Sequence, residues 1–338
     1  MKQTIKPRLS LDNFTEGILN GDRIVLGQAI TLIESKLQQD QDLAARVLDK
    51  ILPHTGNSLR IGLTGVPGVG KSTFIEVFGK YITSQGKKLA VLTIDPTSSL
   101  TDGSILGDKT RMEDLSKDPL AFIRPTPSSQ ALGGVAHKTR EVMLVCEAAG
   151  YEIVLVETVG VGQSETAVKN MVDFFLLLML TGAGDELQGI KKGIMEIADA
   201  IVITKADGEN VKASIQTQAM YQEALHLFAQ PESGWPPTVL TSSAYTGEGI
   251  ADVWGMILKY QDVVKENGFF DNNRNRQNVS WFKEYFAYLL HGDLRNFSSV
   301  EKLEKKLEEA VVNLTLSSQA AADKLLEAYH QAVRGSKS

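Results

Sequence analysis

The residues Gly65 Val66 Pro67 Gly68 Val69 Gly70 Lys71 Ser72 Thr73 follow the spacing Gly, four residues, Gly, Lys, then Ser or Thr. That spacing binds a nucleoside triphosphate. Backbone N–H groups of Gly68, Val69, Gly70 and Lys71 can converge on an anion only where side-chain bulk is small, and a helix starting at the loop adds a favourable field. Lys71 brings a cation to the β- and γ-phosphates, and the Ser72 hydroxyl is placed to ligate Mg²⁺. A glycine-rich turn alone would explain the glycines but not the Lys71–Ser72 pair. The loop needs a strand before it and a helix after it; Leu59, Ile61 and Leu63 alternate as the first, and Thr73 to Tyr81 suits the second.

Further apolar strand candidates alternate with helical stretches at 89–94, 120–123, 153–156, 174–180, 200–203 and 237–241, after a first at 59–64. This predicts an α/β fold, a mostly parallel sheet with helices on both faces. Ahead of it, residues 1–55 read as helical, with Leu43, Val47 and Ile51 at four-residue spacing and Pro53 and Gly56 ending the pattern. Behind it, 266–338 form a C-terminal helical region, leaving 56–265 as the nucleotide domain. Within the last region, Asn267 to Asn278 read as a polar linker. Trp281, Tyr285, Tyr288 and Leu289 then form one helical stripe, and Val300, Leu303, Leu307, Ala310, Val311 and Leu314 another. Such helices have little core of their own and must pack on the nucleotide domain or a second subunit.

In parallel sheets ligands sit beyond the carboxyl ends of the strands, so those loops carry the chemistry. After the second strand, Asp95 and, farther on, Asp108 are candidates for the magnesium shell, although Asp95 before Pro96 also suits a plain turn. After the fourth comes Glu157 Thr158 Val159 Gly160 Val161 Gly162 Gln163, where Glu157 takes the place of the acid that orients Mg²⁺ and Gly160 that of the γ-phosphate sensor. Whether these acids reach the metal directly or through water stays open. Gln163 lies three residues beyond Gly160, better placed to cap the next helix than to position an attacking water. The glycine-punctuated segment Gly182 to Gly193 reads as a solvated connector that also suits a change of conformation.

Thr204 Lys205 Ala206 Asp207 is a variant of the Asn-Lys-x-Asp guanine motif. Asp207 can accept from guanine N1–H and its 2-amino group, whereas adenine would leave the carboxylate unpaired; the expected nucleotides are therefore GTP and GDP. Lys205 lays its stem over the base. Thr204 for Asn removes an amide that would tether the loop, with reduced affinity expected. Thr241 Ser242 Ser243 Ala244 Tyr245 follows the last strand, where N–H groups of Ser243, Ala244 and Tyr245 can face guanine O6.

The 338 residues carry a formal charge of −6, which argues against a nucleic-acid partner. The single cysteine, Cys146, excludes a disulfide framework, and its place is a small buried hydrophobe in a helix 135–149 beside Val142. A polar start and apolar runs far shorter than the roughly 20 residues of a spanning helix predict a cytoplasmic protein without membrane insertion.

Gly65 to Thr73, Gly103 to Met112, Phe122 Ile123 Arg124 Pro125, Glu157 to Glu165 and Gly184 to Gly193 together resemble the MeaB/ArgK family over almost the whole chain. The resemblance implies a homodimeric P-loop GTPase that binds methylmalonyl-CoA mutase, or a related cobalamin mutase, and controls loading and protection of adenosylcobalamin. It implies dimerisation through the C-terminal helices, and switch regions at Asp95 to Asp108, Glu157 to Glu165 and Asp185 to Lys191. Because no residue convincingly positions the attacking water, hydrolysis alone should be slow, with Lys191 the cation a docking mutase would swing toward the nucleotide. The family's older label, an ATPase or kinase of lysine/arginine/ornithine periplasmic transport, is the rival reading; Asp207 argues against it. Nickel delivery would need Cys or His at metal spacing, which the sequence lacks.

Overall fold

Among the described residues seven strands form one parallel sheet: β1 (Leu59–Gly65), β2 (Leu89–Asp95), β3 (Ala121–Pro127), β4 (Ile153–Glu157), β5 (Phe174–Met179), β6 (Ala200–Ile203) and β7 (Thr238–Thr241). Their order is β3-β2-β4-β1-β5-β6-β7. The computed structural model describes residues 8–95, 112–127, 134–158, 165–182 and 192–335. Strand alternation sorts the side chains between two cores. Ile61, Leu63, Val91, Leu155 and Leu176 face α4 (Lys71–Ser84) and α10 (Ile250–Glu266), while Ala90, Leu92, Val154, Val156 and Phe175 face α6 (Gly134–Ala148). Period two in the strands thus produces the helix–sheet–helix layers.

Helices α1 (Leu11–Leu19), α2 (Arg23–Glu34) and α3 (Gln38–Ile51) add Phe14, Ile18, Ile30, Val47 and Ile51 to the α6 side of the core. The N-terminal region therefore shares its packing with the sheet, and Met1–Gln277 form one compact unit. Cys146 is fully buried on α6, where burial pushes its thiol pKa far up and leaves it an inert hydrophobe. Further helices described in this unit are the short α5 (Glu113–Lys117), α7 (Glu165–Lys169) and α8 (Lys192–Ile197) and the longer α9 (Val211–Leu225). Edge strand β7 is blunted by α9: Gln222 Oε1 accepts from Val239 N–H (2.9 Å) and Gln218 Nε2 donates to Val239 O (2.8 Å), occupying groups that another strand would otherwise pair. Among the described residues no helix is long and apolar enough to cross a membrane.

One expectation is corrected at the C-terminal end. The polar stretch 267–278, read as a linker, is helical from Phe269 onward, in α11 (Phe269–Arg295). Tertiary contacts override its weak helix propensity, because Arg274 is buried at the amino ends of the strands. Its guanidinium donates to both oxygens of Asp173 (2.8 and 2.7 Å) and to the carbonyls of Gly56 and Ser58 (2.5 Å each). Asp173 also accepts Arg60 N–H at 2.7 Å, and the Arg60 side chain binds Glu147 at 2.7 and 3.0 Å. Burial raises the Glu147 pKa, but Arg60, Ser58 and Gly56 N–H outweigh it and hold the carboxyl below its ordinary range.

Residues Asn278–Ser338 make a second compact unit. Here α12 (Ser298–Val312) packs on α13 (Ser318–Gly335), with Val300 buried and Leu303, Leu307, Ala310 and Val311 half-buried. The stripe expected to need the nucleotide domain or a second subunit is thus largely covered within the hairpin, with Leu314 left exposed. The broad exposed apolar face lies instead on α11, at Val279, Phe282, Phe286, Leu289 and Leu290.

The Arg274 contacts generate a prediction for the first unit. Arg274→Ala leaves Asp173 buried beside carbonyls that have lost their donor, and should cost about 3 kcal/mol or more of unfolding free energy. Denaturant unfolding of the two proteins measures it; a change below about 1 kcal/mol would contradict the role assigned to this buried pair.

Candidate functional site

The phosphate loop leaves β1 at the centre of the sheet and runs directly into α4. Gly70, the residue before the helix, sits at φ +89°, a left-handed conformation that side chains disfavour. Gly65 is pinned for a different reason: a Cβ there would come within 2.7 Å of the Leu178 carbonyl on β5. Val69 N–H closes a turn on Val66 O at 3.2 Å, so this one of the four expected donors is engaged within the loop. Gly68 and Gly70 N–H have no acceptor among the described residues, and Lys71, Ser72 and Thr73 open a 14-residue helix whose first N–H groups are unsatisfied. These donors fit an anion.

Lys71 Nζ rests on Gly65 O at 3.1 Å, folded back over the loop. Burial lowers its pKa, opposed by the charge of Glu157, which places that carboxylate within electrostatic reach of the ammonium. Glu157 is the buried last residue of β4 and pairs in register with Leu63 of β1 and Thr93 of β2. Beside it, the Thr158 hydroxyl donates to Thr64 Oγ1 at 2.7 Å, and Thr158 N–H to Leu63 O at 3.0 Å. Sequence alternation did not single out this threonine pair, which ties the acidic strand end to the loop. Asp95 ends β2, the next strand out, but its side chain lies outside the described residues. Asp108, Gly160, Gln163 and Lys191 also lie outside them.

On the opposite flank, the loop after β6 closes against the phosphate loop, and the loop after β7 against the β6 loop. The Thr204 hydroxyl is buried and donates to Val69 O at 2.9 Å, while Thr204 N–H bonds Met179 O at 2.8 Å. The expected loss of a tether with Thr in place of Asn is therefore corrected: the shorter side chain makes the tether itself. Lys205 adopts φ +57°, uncommon for a non-glycine residue, and stretches over the loop to donate to Gly68 O at 2.9 Å. Ser243 Oγ donates to the Asp207 carboxylate and accepts N–H groups of Tyr245 and Thr246, both at 3.1 Å. Ser243 N–H is used on Glu248 O at 3.0 Å. Of the three donors expected to face guanine O6, two are engaged, and Ala244 N–H is the one without an acceptor among the described residues. The sequence marked Ser243 for its backbone, whereas the structure uses its hydroxyl to aim Asp207.

The arrangement can hold a polyphosphate at one end and present a fixed carboxylate to a base at the other. A model of the family described as methylmalonyl Co-A mutase-associated GTPase MeaB matches residues 26–295. The chain belongs to the MeaB family. GTPase ArgK of Escherichia coli (strain K12) is 46% identical over 307 residues, covering 91% of this chain and 93% of that protein. The Mus musculus protein called methylmalonic aciduria type A homolog, mitochondrial, is 42% identical over 334 residues, covering 96% of this chain and 80% of its own length. A crystal structure described as LAO/AO transport system kinase superposes with a TM-score of 0.77 at 38% identity, covering 95% of this chain and 99% of that one. This chain thus shares its fold with that structure and spans nearly the full length of GTPase ArgK and of that structure, and 80% of the mouse protein.

The tether yields a prediction. Thr204→Val leaves Val69 O without its donor and should weaken GTP and GDP binding together by roughly fivefold to tenfold, the scale of one lost buried hydrogen bond. Thr204→Ser, which keeps the hydroxyl, should stay close to wild type. Calorimetry on the three proteins checks it, and equal affinities throughout would show that the tether does not matter for binding.

Proposed function

We propose that this chain is a homodimeric, GTP-hydrolysing chaperone that docks on adenosylcobalamin-dependent methylmalonyl-CoA mutase in the cytoplasm and gates loading and protection of its cofactor. The observation that carries the reading is the match of residues 26–295 to a family described by its association with that mutase, on a chain whose Asp207 accepts a hydrogen bond from Ser243. Lys71 and the N–H groups at the start of α4 hold the phosphates, and Lys205 covers the base. Mg²⁺, held by Ser72 and Glu157 with Asp95 and Asp108, would neutralise charge on the phosphates during transfer. Asp207 sets the choice of base, since a carboxylate paired with guanine donors is left unsatisfied by adenine.

The superposition on a structure titled as a transport-system kinase keeps ATP-dependent phosphorylation as the second reading. Steady-state phosphate release from GTP and from ATP, with and without methylmalonyl-CoA mutase, separates the two. GTP turnover that is slow alone and rises on adding mutase is expected; a cation brought to the transition state is worth roughly a thousandfold or more. Lys191→Ala should keep GTP affinity and lose most of the stimulation. Turnover of ATP as fast as GTP, or no response to mutase, would sink the proposal.

The dimer rests on the exposed face of α11. In light scattering the full chain should run as a dimer, and a Phe282→Glu, Phe286→Glu double variant as a monomer. A variant that remains dimeric would move the interface elsewhere.

A further inference from the structure

Among the described residues the most exposed large apolar side chain is Tyr245, at 92%. One exposed aromatic residue, taken singly, calls for no explanation. Its place does. Tyr245 stands on the loop after β7, next to Ala244, whose N–H is open, and two residues from Ser243, which holds Asp207. Its own N–H is spent on Ser243 Oγ at 3.1 Å, so what the residue still has to offer a ligand is its side chain. The ring has no aromatic, cationic or hydrogen-bonding partner among the described residues.

The loop that presents this ring is tightly bonded. Ser243 Oγ also accepts Thr246 N–H at 3.1 Å, Ser243 O accepts Gly247 N–H at 2.9 Å, and Ser243 N–H reaches Glu248 O at 3.0 Å. Gly249 ends it at φ +77°, where a Cβ would lie 2.1 Å from Thr241 O. Ala206 N–H donates to Ser242 O at 3.1 Å, which fastens the whole turn to the loop that carries Asp207. The backbone of Tyr245 is thereby held at a set distance from the Asp207 carboxylate. A ring on a fixed backbone beside an open N–H is a preformed surface for a flat ligand, because little conformational freedom is left to lose on binding.

The two loops differ in where they lean. Lys205, on the β6 loop, reaches back toward β1 to meet Gly68 O, whereas Tyr245 belongs to the loop of β7, at the edge of the sheet farther from β1. We propose that Tyr245 is the second wall of the base site, its ring stacking on the purine face opposite the stem of Lys205. Every base has a π face, so stacking contributes affinity without regard to base identity, while Asp207 contributes the choice. This role rests on the reading of Asp207 as the guanine-selecting carboxylate.

The test uses the full chain as wild type, Tyr245→Phe and Tyr245→Ala, with calorimetric affinities for GDP, IDP and inorganic tripolyphosphate. IDP keeps the purine face but lacks the 2-amino group, and tripolyphosphate has no base. Tyr245→Ala should weaken GDP and IDP by the same factor, about fivefold to tenfold, the lower end of what one stacked ring contributes, and keep tripolyphosphate within about twofold. GDP release followed by stopped flow should accelerate by the factor that affinity falls. Tyr245→Phe keeps the ring and should match wild type throughout. Unchanged GDP affinity in Tyr245→Ala overturns the proposal. So does an equal loss for tripolyphosphate, or earlier melting of the nucleotide-free Tyr245→Ala protein by an amount that accounts for the loss, because the residue would then support the loops. A loss confined to GDP also overturns it, since the ring would be reading the amino group. Wild-type protein that binds ADP as tightly as GDP would instead remove the guanine reading beneath it, and that result is visible before any substitution is made.

Discussion

Two hydrogen bonds hold the site in one piece: the Thr204 hydroxyl on Val69 O and the Lys205 ammonium on Gly68 O. A nucleotide has a fixed length between its base and its phosphates, so a protein that reads both ends must hold its two recognition loops at a matching separation. Here the loops belong to β1 and β6, which are not neighbours; β5 lies between them. Backbone pairing alone cannot connect the loops across that gap. The side chains of Thr204 and Lys205 do, and Met179 at the end of β5 anchors Thr204 from below through its carbonyl. The positive φ of Lys205 is a local cost of reaching the loop, and it falls on a residue whose side chain has a site to serve.

The strand order makes the division of labour possible. β4 and β2 stand on one side of β1 and end in Glu157 and Asp95, while β6 and β7 stand on the other and end in the loops that we propose read the base. Glu157 is thereby kept within electrostatic reach of Lys71, while the carboxylate of Asp207 stands on the other flank beside Ser243. At the amino ends of the same strands lies a different chemistry: Arg274, Asp173, Arg60 and Glu147 bind one another and nearby carbonyls. That buried set leaves few polar groups unsatisfied, which is what lets charges persist inside a core. One end of the sheet is thus closed by ion pairs, and the loops that must meet a ligand are concentrated at the other.

Much of this was legible in the chain itself. Strand positions, the phosphate loop and the base motif are local patterns: an alternation of period two, a spacing of glycines before Lys71 and Ser72, a Lys205–Asp207 pair after an apolar run. Each reflects what a short stretch of backbone needs in order to form its element or face its ligand, so each can be read without knowing what lies across the fold. The helical N-terminal region and the two C-terminal stripes were readable for the same reason.

What the tertiary structure decided are the contacts between residues far apart in sequence. Asn275 and its polar neighbours look like linker until Arg274 is seen reaching Asp173, a hundred positions away, and the resulting buried ion pair is what makes that stretch helix. Thr204 looks like a weakened asparagine until Val69 is placed beneath its hydroxyl. Ser243 becomes an orienting group only once Asp207 is beside it, and Gly79 acquires a reason only when Leu115 is packed against it. Local propensity sets which elements form, because it acts between neighbours in the chain. Which buried polar groups find partners is settled by packing, and that depends on the register of the whole sheet.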